Sequence, residues 1–193
     1  MEDQFCYGVA GLGDIDGDGA VDLAASALGD DDGGSLVGAL YVLFLETNGN
    51  VKNAQKISML YGNFNTFYTL EAGDVLGQSV AALGDVEGDG VMDLATGARN
   101  DDDGSGNAGA TYVLSLESNG NVKKAQKISM LYGNFNAFYT LEVDDWFGTS
   151  VAALGDITGD SVVDLVVWVC NKTMMGALLG VLSTCSPLRP TVV

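Results

Sequence analysis

The sequence predicts an all-β chain of tandem four-stranded antiparallel sheets, and repetition and strand patterning predict it together. The phrase "GLGDIDGDGAVDLA" at 11 returns as "ALGDVEGDGVMDLA" at 82 and as "ALGDITGDSVVDLV" at 153, each step being 71 residues. Between them "AQKISMLYGNFN" stands at 54 and again, letter for letter, at 125. Copies this alike fold alike, so each is one supersecondary unit leaning on its neighbours. No segment holds a helical period, whereas short apolar stretches alternate with Gly- and Asp-rich turns.

Unit two shows the elements in order. "GQSVAALGD" and "VMDLATGA" are the first two strands, joined by an acidic loop. "GATYVLSLE" alternates with period two through Tyr112, Leu114 and Leu116 and is the third strand. In "SNGN", Asn119-Gly120 is a favoured two-residue hairpin turn, and "VKKAQKIS" is the fourth strand. Four-stranded sheets repeated along a chain are propeller blades. Residues 1–75 are assigned to a first blade with linker, 76–146 to a second with linker, and 147–193 to a partial third. Closed propellers use about 4–8 blades. The chain therefore reads as an incomplete, open propeller, a fragment of a longer array whose end blades expose apolar faces and invite self-association.

Composition narrows the function. Eight Lys and Arg against 26 Asp and Glu leave a net charge of −18. That excludes nucleic acid and anionic lipid as partners and favours cations, which relieve self-repulsion. A hydrophobic content of 47% excludes disorder. The chain has no histidine, which removes Ser-His-Asp and Cys-His catalysis and imidazole-based zinc sites. Cys6, Cys170 and Cys185 are odd in number and widely spaced, so they imply no disulfide framework. The first residues have neither a basic start nor an apolar core of a signal peptide.

The loop between the first two strands carries the chemistry. In unit one it presents Asp14, Asp16, Asp18 and Asp22 at positions 1, 3, 5 and 9, with Gly19 at position 6 and the Ala20 carbonyl at position 7. Alternate carboxylates converge, the glycine permits the tight turn, and hard oxygen donors in a flexible loop suit Ca²⁺. Position 12 is Ala25, and Thr96 in unit two, so this is not an EF-hand. Unit two offers Asp85, Glu87, Asp89, the Val91 carbonyl and Asp93. Unit three, with Asp156, Thr158, Asp160, the Val162 carbonyl and Asp164, lacks one carboxylate and puts Ser161 where glycine belongs. A left-handed Ser161 costs roughly 1–2 kcal/mol. Calcium is thus expected in the first two loops, with the third degraded.

These residues resemble the FG-GAP repeats of integrin α-chain propellers and their relatives. The family phrase reads "FGTSVAALGDITGDSVVDL" at 147, "LGQSVAALGDVEGDGVMDLATGA" at 76 and "FCYGVAGLGDIDGDGAVDLAASA" at 5. Leu76 replaces the Phe in unit two, and Cys6 replaces the Gly in unit one. The resemblance covers most of residues 5–167. It implies a calcium-stabilised β-propeller, extracellular or at the cell surface, serving adhesion by binding a protein or glycan. A purely structural, calcium-stiffened array is the alternative. An enzyme is not expected, because every clustered Asp is claimed by a loop cation.

Three further segments stand out. "DDDGG" at 30 and "DDDGS" at 101 read as solvated acidic loops, with a second cation or ligand site as the alternative, and the aromatic insert "MLYGNFNTFYTL" at 59 reads as packing against the next blade, with a partner-facing surface as the alternative. "DLVVWVCNKTMMGALLGVL" at 164 is interrupted by Asn171-Lys172, which argues against membrane insertion. Shifting the codon frame there turns Trp168-Val169 into Gly, matching Gly97, and Met174-Met175 into Asp, matching Asp32 and Asp103. The tail from about Val167 is therefore expected to be a frameshifted repeat. Cys170, Cys185 and the Asn171-Lys172-Thr173 triplet then carry no functional weight.

Overall fold

A computed structural model of the chain describes residues 3–170 and the backbone of 177–183. Blade one is a four-stranded antiparallel sheet of β1 (Phe5–Gly13), β2 (Asp22–Ala27), β3 (Ala39–Leu45) and β4 (Val51–Ile57) in that spatial order. Blade two repeats it with β5 (Leu76–Gly84), β6 (Asp93–Ala98), β7 (Ala110–Leu116) and β8 (Val122–Ile128). In blade three β9 (Ser150–Gly155) and β11 (Ala177–Ser183) flank β10 (Asp164–Val169). The fold is all-β, and the blades form an open row. Strand β10 continues past Val167 to Val169, while the codon-frame match at Met174-Met175, like Cys185, lies outside the described residues.

Position within the blade explains the composition of each strand. The central strands β2 and β6, "DLAASA" and "DLATGA", are covered on both faces, and small side chains let neighbouring sheets approach. The outermost strand β4, "VKNAQKI", is largely exposed and carries lysines, as edge strands do. The hairpin turn sits one residue earlier than the Asn-Gly signal implies. The Gly120 N–H donates to the Glu117 carbonyl, so Ser118-Asn119 form the turn centre, and Gly120 takes the positive φ of 82° behind it.

Consecutive blades share one seam design. The first strands β1, β5 and β9 lie side by side. The Leu76 N–H donates to the Val37 carbonyl at 2.8 Å, and Phe147 repeats this on Ala108 at 2.8 Å. At the next residue, Gly77 has φ 93°, and a Cβ there would meet Ser26 Cβ at 2.7 Å. Gly148 has φ 88° and abuts the Ala110 carbonyl oxygen. The glycine of the Phe-Gly phrase is thus required by the backbone of the preceding blade. Cys6 holds that place in blade one, with φ 65° and its thiol side chain exposed. Across the seam, Gly97 faces Gly148 so closely that no Cβ fits, and Trp168 stands at the matching place in blade three.

One apolar core fills the space between blades one and two, with Leu12, Leu40, Phe64 and Tyr112 among its members. A second lies between blades two and three, including Phe135, Phe147 and Leu165. On the open side of blade one, Phe5, Tyr7 and Val9 are 52%, 58% and 53% exposed, while Leu76 and Phe147, at the place of Phe5, are fully buried. Among the described residues no helix is long and apolar enough to cross a membrane.

Candidate metal centre

Loop one is shaped by its own first carboxylate. Asp14 accepts the N–H groups of Gly17 at 2.8 Å and Asp18 at 2.9 Å on Oδ1, and of Gly19 at 2.8 Å on Oδ2. The chain curls around it because Gly17 and Gly19 adopt φ of 80° and 88°. Ile15 is buried in the core and anchors the loop from beneath. The result brings carboxylate oxygens of Asp14, Asp16 and Asp18 within 4.8 Å of one another, all three residues being exposed. Lys52 reaches in from β4, its Nζ lying 2.8 Å from Asp16 Oδ2 and also against Asp18 Oδ2. That hydrogen bond, more than any other contact, holds the Asp18 carboxyl below its usual value, and Asp16 and Asp18 push the lysine up in turn.

Asp22 sits behind the cluster, fully buried at the start of β2. Its Oδ2 accepts the Ile15 N–H at 3.0 Å and its Oδ1 the Leu45 N–H at 2.9 Å, tying the loop to the end of β3. Each carboxylate oxygen keeps a second lone pair. The Ala20 N–H donates to Asp18 Oδ1 at 2.8 Å.

Loop two repeats the hydrogen-bond pattern, while among the described residues the convergence of three carboxylates within 4.8 Å belongs to loop one. Asp85 accepts from Gly88, Asp89 and Gly90, at 2.6, 2.9 and 2.7 Å, and the Gly90 N–H does most to lower its pKa. Asp89 accepts from Val91 at 3.0 Å. Asp93 accepts from Val86 and Leu116, both at 3.0 Å, and burial pushes its carboxyl up to about 6. The longer Glu87 arm lies 3.0 Å from Lys123 and 2.5 Å from Lys124. Burial works to raise Glu87, but Lys124 and Lys123 outweigh it and keep the carboxyl low. Lys123 also pairs with Asp89, as Lys52 does with Asp18.

Loop three keeps the backbone of the other two. Asp156 accepts from Gly159, Asp160 and Ser161, at 2.6, 3.1 and 2.8 Å. Ser161 is left-handed, with φ 67°, as its position demands. The Val162 N–H donates to Asp160 Oδ1 at 2.9 Å. Asp164 is fully buried, and its Oδ2 accepts from Ile157 at 2.9 Å and Thr158 at 3.1 Å.

The stretch from β5 through loop two to β7 has a family counterpart. Residues 76–114 match the model of the FG-GAP repeat. The match begins at Leu76-Gly77, the seam residues, and takes in the whole of loop two. The FG-GAP unit is therefore a propeller-type blade, and the chain carries it as a repeat module. A search of the curated proteins gives no match.

Two features of the blades differ from the reading of the sequence or escaped it. The "DDDG" segments are not simply solvated loops. Asp30 and Asp101 are 3% and 2% exposed, because Lys56 bridges Asp30 and Asp32 while Lys127 bridges Asp101 and Asp103. Burial works against the Lys127 charge, but Asp101 and then Asp103 keep the ammonium protonated. Tyr112 donates its hydroxyl to Asp101 at 3.0 Å, and Tyr112 and Tyr132 both face the Lys127 ammonium. The loop lysines Lys52 and Lys123 were also missed. Their signal was available: each lies 34 residues beyond the loop aspartate it pairs with, Asp18 or Asp89.

The aromatic insert packs on the following FG-GAP blade. Phe64 is fully buried with its ring 5.4 Å from Tyr112, and Tyr68 stands 5.6 Å from the same ring. The Tyr68 hydroxyl accepts the Lys127 N–H at 3.0 Å, and the Gly62 carbonyl accepts the Val122 N–H at 2.9 Å. Left-handed Asn63 and Asn134 start the short 3-10 turns Phe64–Thr66 and Phe135–Ala137 that aim these rings.

Proposed function

We propose that the chain is a calcium-binding propeller-repeat module of a secreted or cell-surface protein, serving adhesion through a protein or glycan ligand. The observation that carries the calcium part is loop one, where three exposed carboxylates converge and a cationic group of the chain already sits against two of them. This all-oxygen donor set fits a hard divalent cation. Asp14, Asp16 and Asp18 would hold it in loop one and Asp85, Glu87 and Asp89 in loop two, with Asp22, Asp93 and the Ala20 and Val91 carbonyls supporting. In loop three Asp156, Asp160 and Asp164 supply carboxylates, Thr158 a hydroxyl and Val162 a carbonyl. A bound ion cross-links loop positions that otherwise repel one another. The family resemblance supports the extracellular setting and the adhesive role.

A structural array without a ligand of its own is the second reading. The repeated pairing of Lys52 and Lys123 with equivalent loop positions favours it, because identical sites in successive blades are what stiffening requires. Calcium titration of the full chain by calorimetry, with melting in calcium and in chelator, tests the metal. Two binding events and a higher melting temperature in calcium are expected. One ion at 100 times its dissociation constant contributes about 2.7 kcal/mol. No heat and no shift refute the calcium reading. A screen against immobilised glycans and matrix proteins then separates adhesion from stiffening, since an array without a ligand binds none of them.

A further inference from the structure

The carboxylates that face outward from loops one and two are already engaged by lysines from the far side of the blade. In loop one, Asp18 spends Oδ1 on the Ala20 N–H and presents Oδ2 to Lys52. Loop two repeats this atom for atom, with Asp89 Oδ1 on the Val91 N–H and Oδ2 on Lys123. Each lysine also reaches the position-3 carboxylate, Asp16 or Glu87. The lysines stand near the starts of β4 and β8, two strands away from β2 and β6, so chain proximity to the loop does not explain the pairing.

Resting on the calcium reading above, we propose that Lys52 and Lys123 are built-in competitors for the loop cation. Each ammonium lies against carboxylate oxygens an incoming ion needs, so the ion binds by displacing a lysine into water. The lysine serves two ends. Without metal it offsets repulsion between the loop carboxylates, which in loop one lie within 4.8 Å of one another, in a chain of net charge −18. With metal it subtracts from affinity, which sets the calcium level at which the loop fills. In loop two Lys124 adds a second ammonium at Glu87, where blade one has Asn53, so competition is stronger there.

The Lys52–Asp18 and Lys123–Asp89 pairs are exposed, and exposed pairs bias an equilibrium by about 1.5- to 5-fold. Removing the adjacent positive charge adds to the gain, so roughly three- to tenfold tighter binding per site is expected at low salt. The test uses the full chain as wild type, Lys52→Met, Lys123→Met, the double variant and Lys52→Arg, with Lys52→Gln as a second neutral replacement. Calcium titration at low salt is paired with melting in chelator. The neutral variants should bind calcium several-fold tighter and melt lower than wild type in chelator, while Lys52→Arg stays near wild type. Unchanged or weaker calcium binding in the neutral variants overturns the proposal and leaves the calcium reading standing. If neither wild type nor any variant takes up calcium, both fall together.

Discussion

Replacing Phe64 with Ala tests whether the aromatic insert locks blade one to blade two. Phe64 is fully buried in the core between these blades, and its ring meets Tyr112 edge-on at 5.4 Å and 63°. Truncating a buried Phe costs about 3–5 kcal/mol, and the lost edge-to-face contact belongs to the upper part of that range. For a chain of this size each kcal/mol moves the melting temperature by about 2–4 °C, so a fall of roughly 6–20 °C is expected. Phe138→Ala is the internal control. That residue lies in the second insert but is 83% exposed, and its truncation should change stability by less than about 0.5 kcal/mol. Circular dichroism melts of both variants and wild type, at one fixed calcium concentration, make the comparison. If Phe64→Ala falls within about 1 kcal/mol of Phe138→Ala, the insert does not hold the blades, and its burial contributes far less than its geometry implies.

Other predictions concern the loops and the seam. Asp22→Ala should cost about 2–4 kcal/mol even in chelator, because it strands the N–H groups of Ile15 and Leu45. Asp16→Ala, at an exposed position, should leave chelator melts nearly unchanged, and equal losses in the two variants would refute a structural role specific to Asp22. Ser161→Gly should raise stability by about 1 kcal/mol by relieving the left-handed strain, and denaturant melts showing a loss would contradict it. Burial pushes the Asp74 carboxyl up to about 7, helped by Asp101 and Glu71 and opposed by the Glu71 N–H and Lys127. Its folded pKa lies above its unfolded value of about 3.9, so its stabilising effect is complete below that value and is lost as pH rises through about 7. Asp74→Asn should flatten that loss between about pH 4 and 7. An unchanged difference between variant and wild-type melting temperatures across this range would refute it.

The strand order and the curled acidic loops were legible because their signals are local. Alternation in "ATYVLSL" marks β7, and Asp14, Gly17 and Gly19 contain within six residues both the carboxylate and the left-handed glycines that curl the loop. The repeat added a second and third reading of each element, so even the left-handed Ser161 followed from its register. The hairpin centre was displaced because the pairing of Leu116 with Val122 fixed a longer loop than Asn119-Gly120 alone implies.

What stayed hidden depends on groups far apart in the chain. Asp101 looks like a solvated loop residue until Lys127 and Tyr112 from neighbouring strands close over it. Lys52 looks like an ordinary edge-strand lysine until the sheet brings it onto Asp16 and Asp18. Gly77 reads as the opening residue of a strand, yet its lack of a side chain answers to Ser26 of the preceding blade. Periodicity and turn chemistry act within a few residues and are written directly in their order. Ion pairing, desolvation and steric exclusion act through space, and here they arise where strands and blades meet.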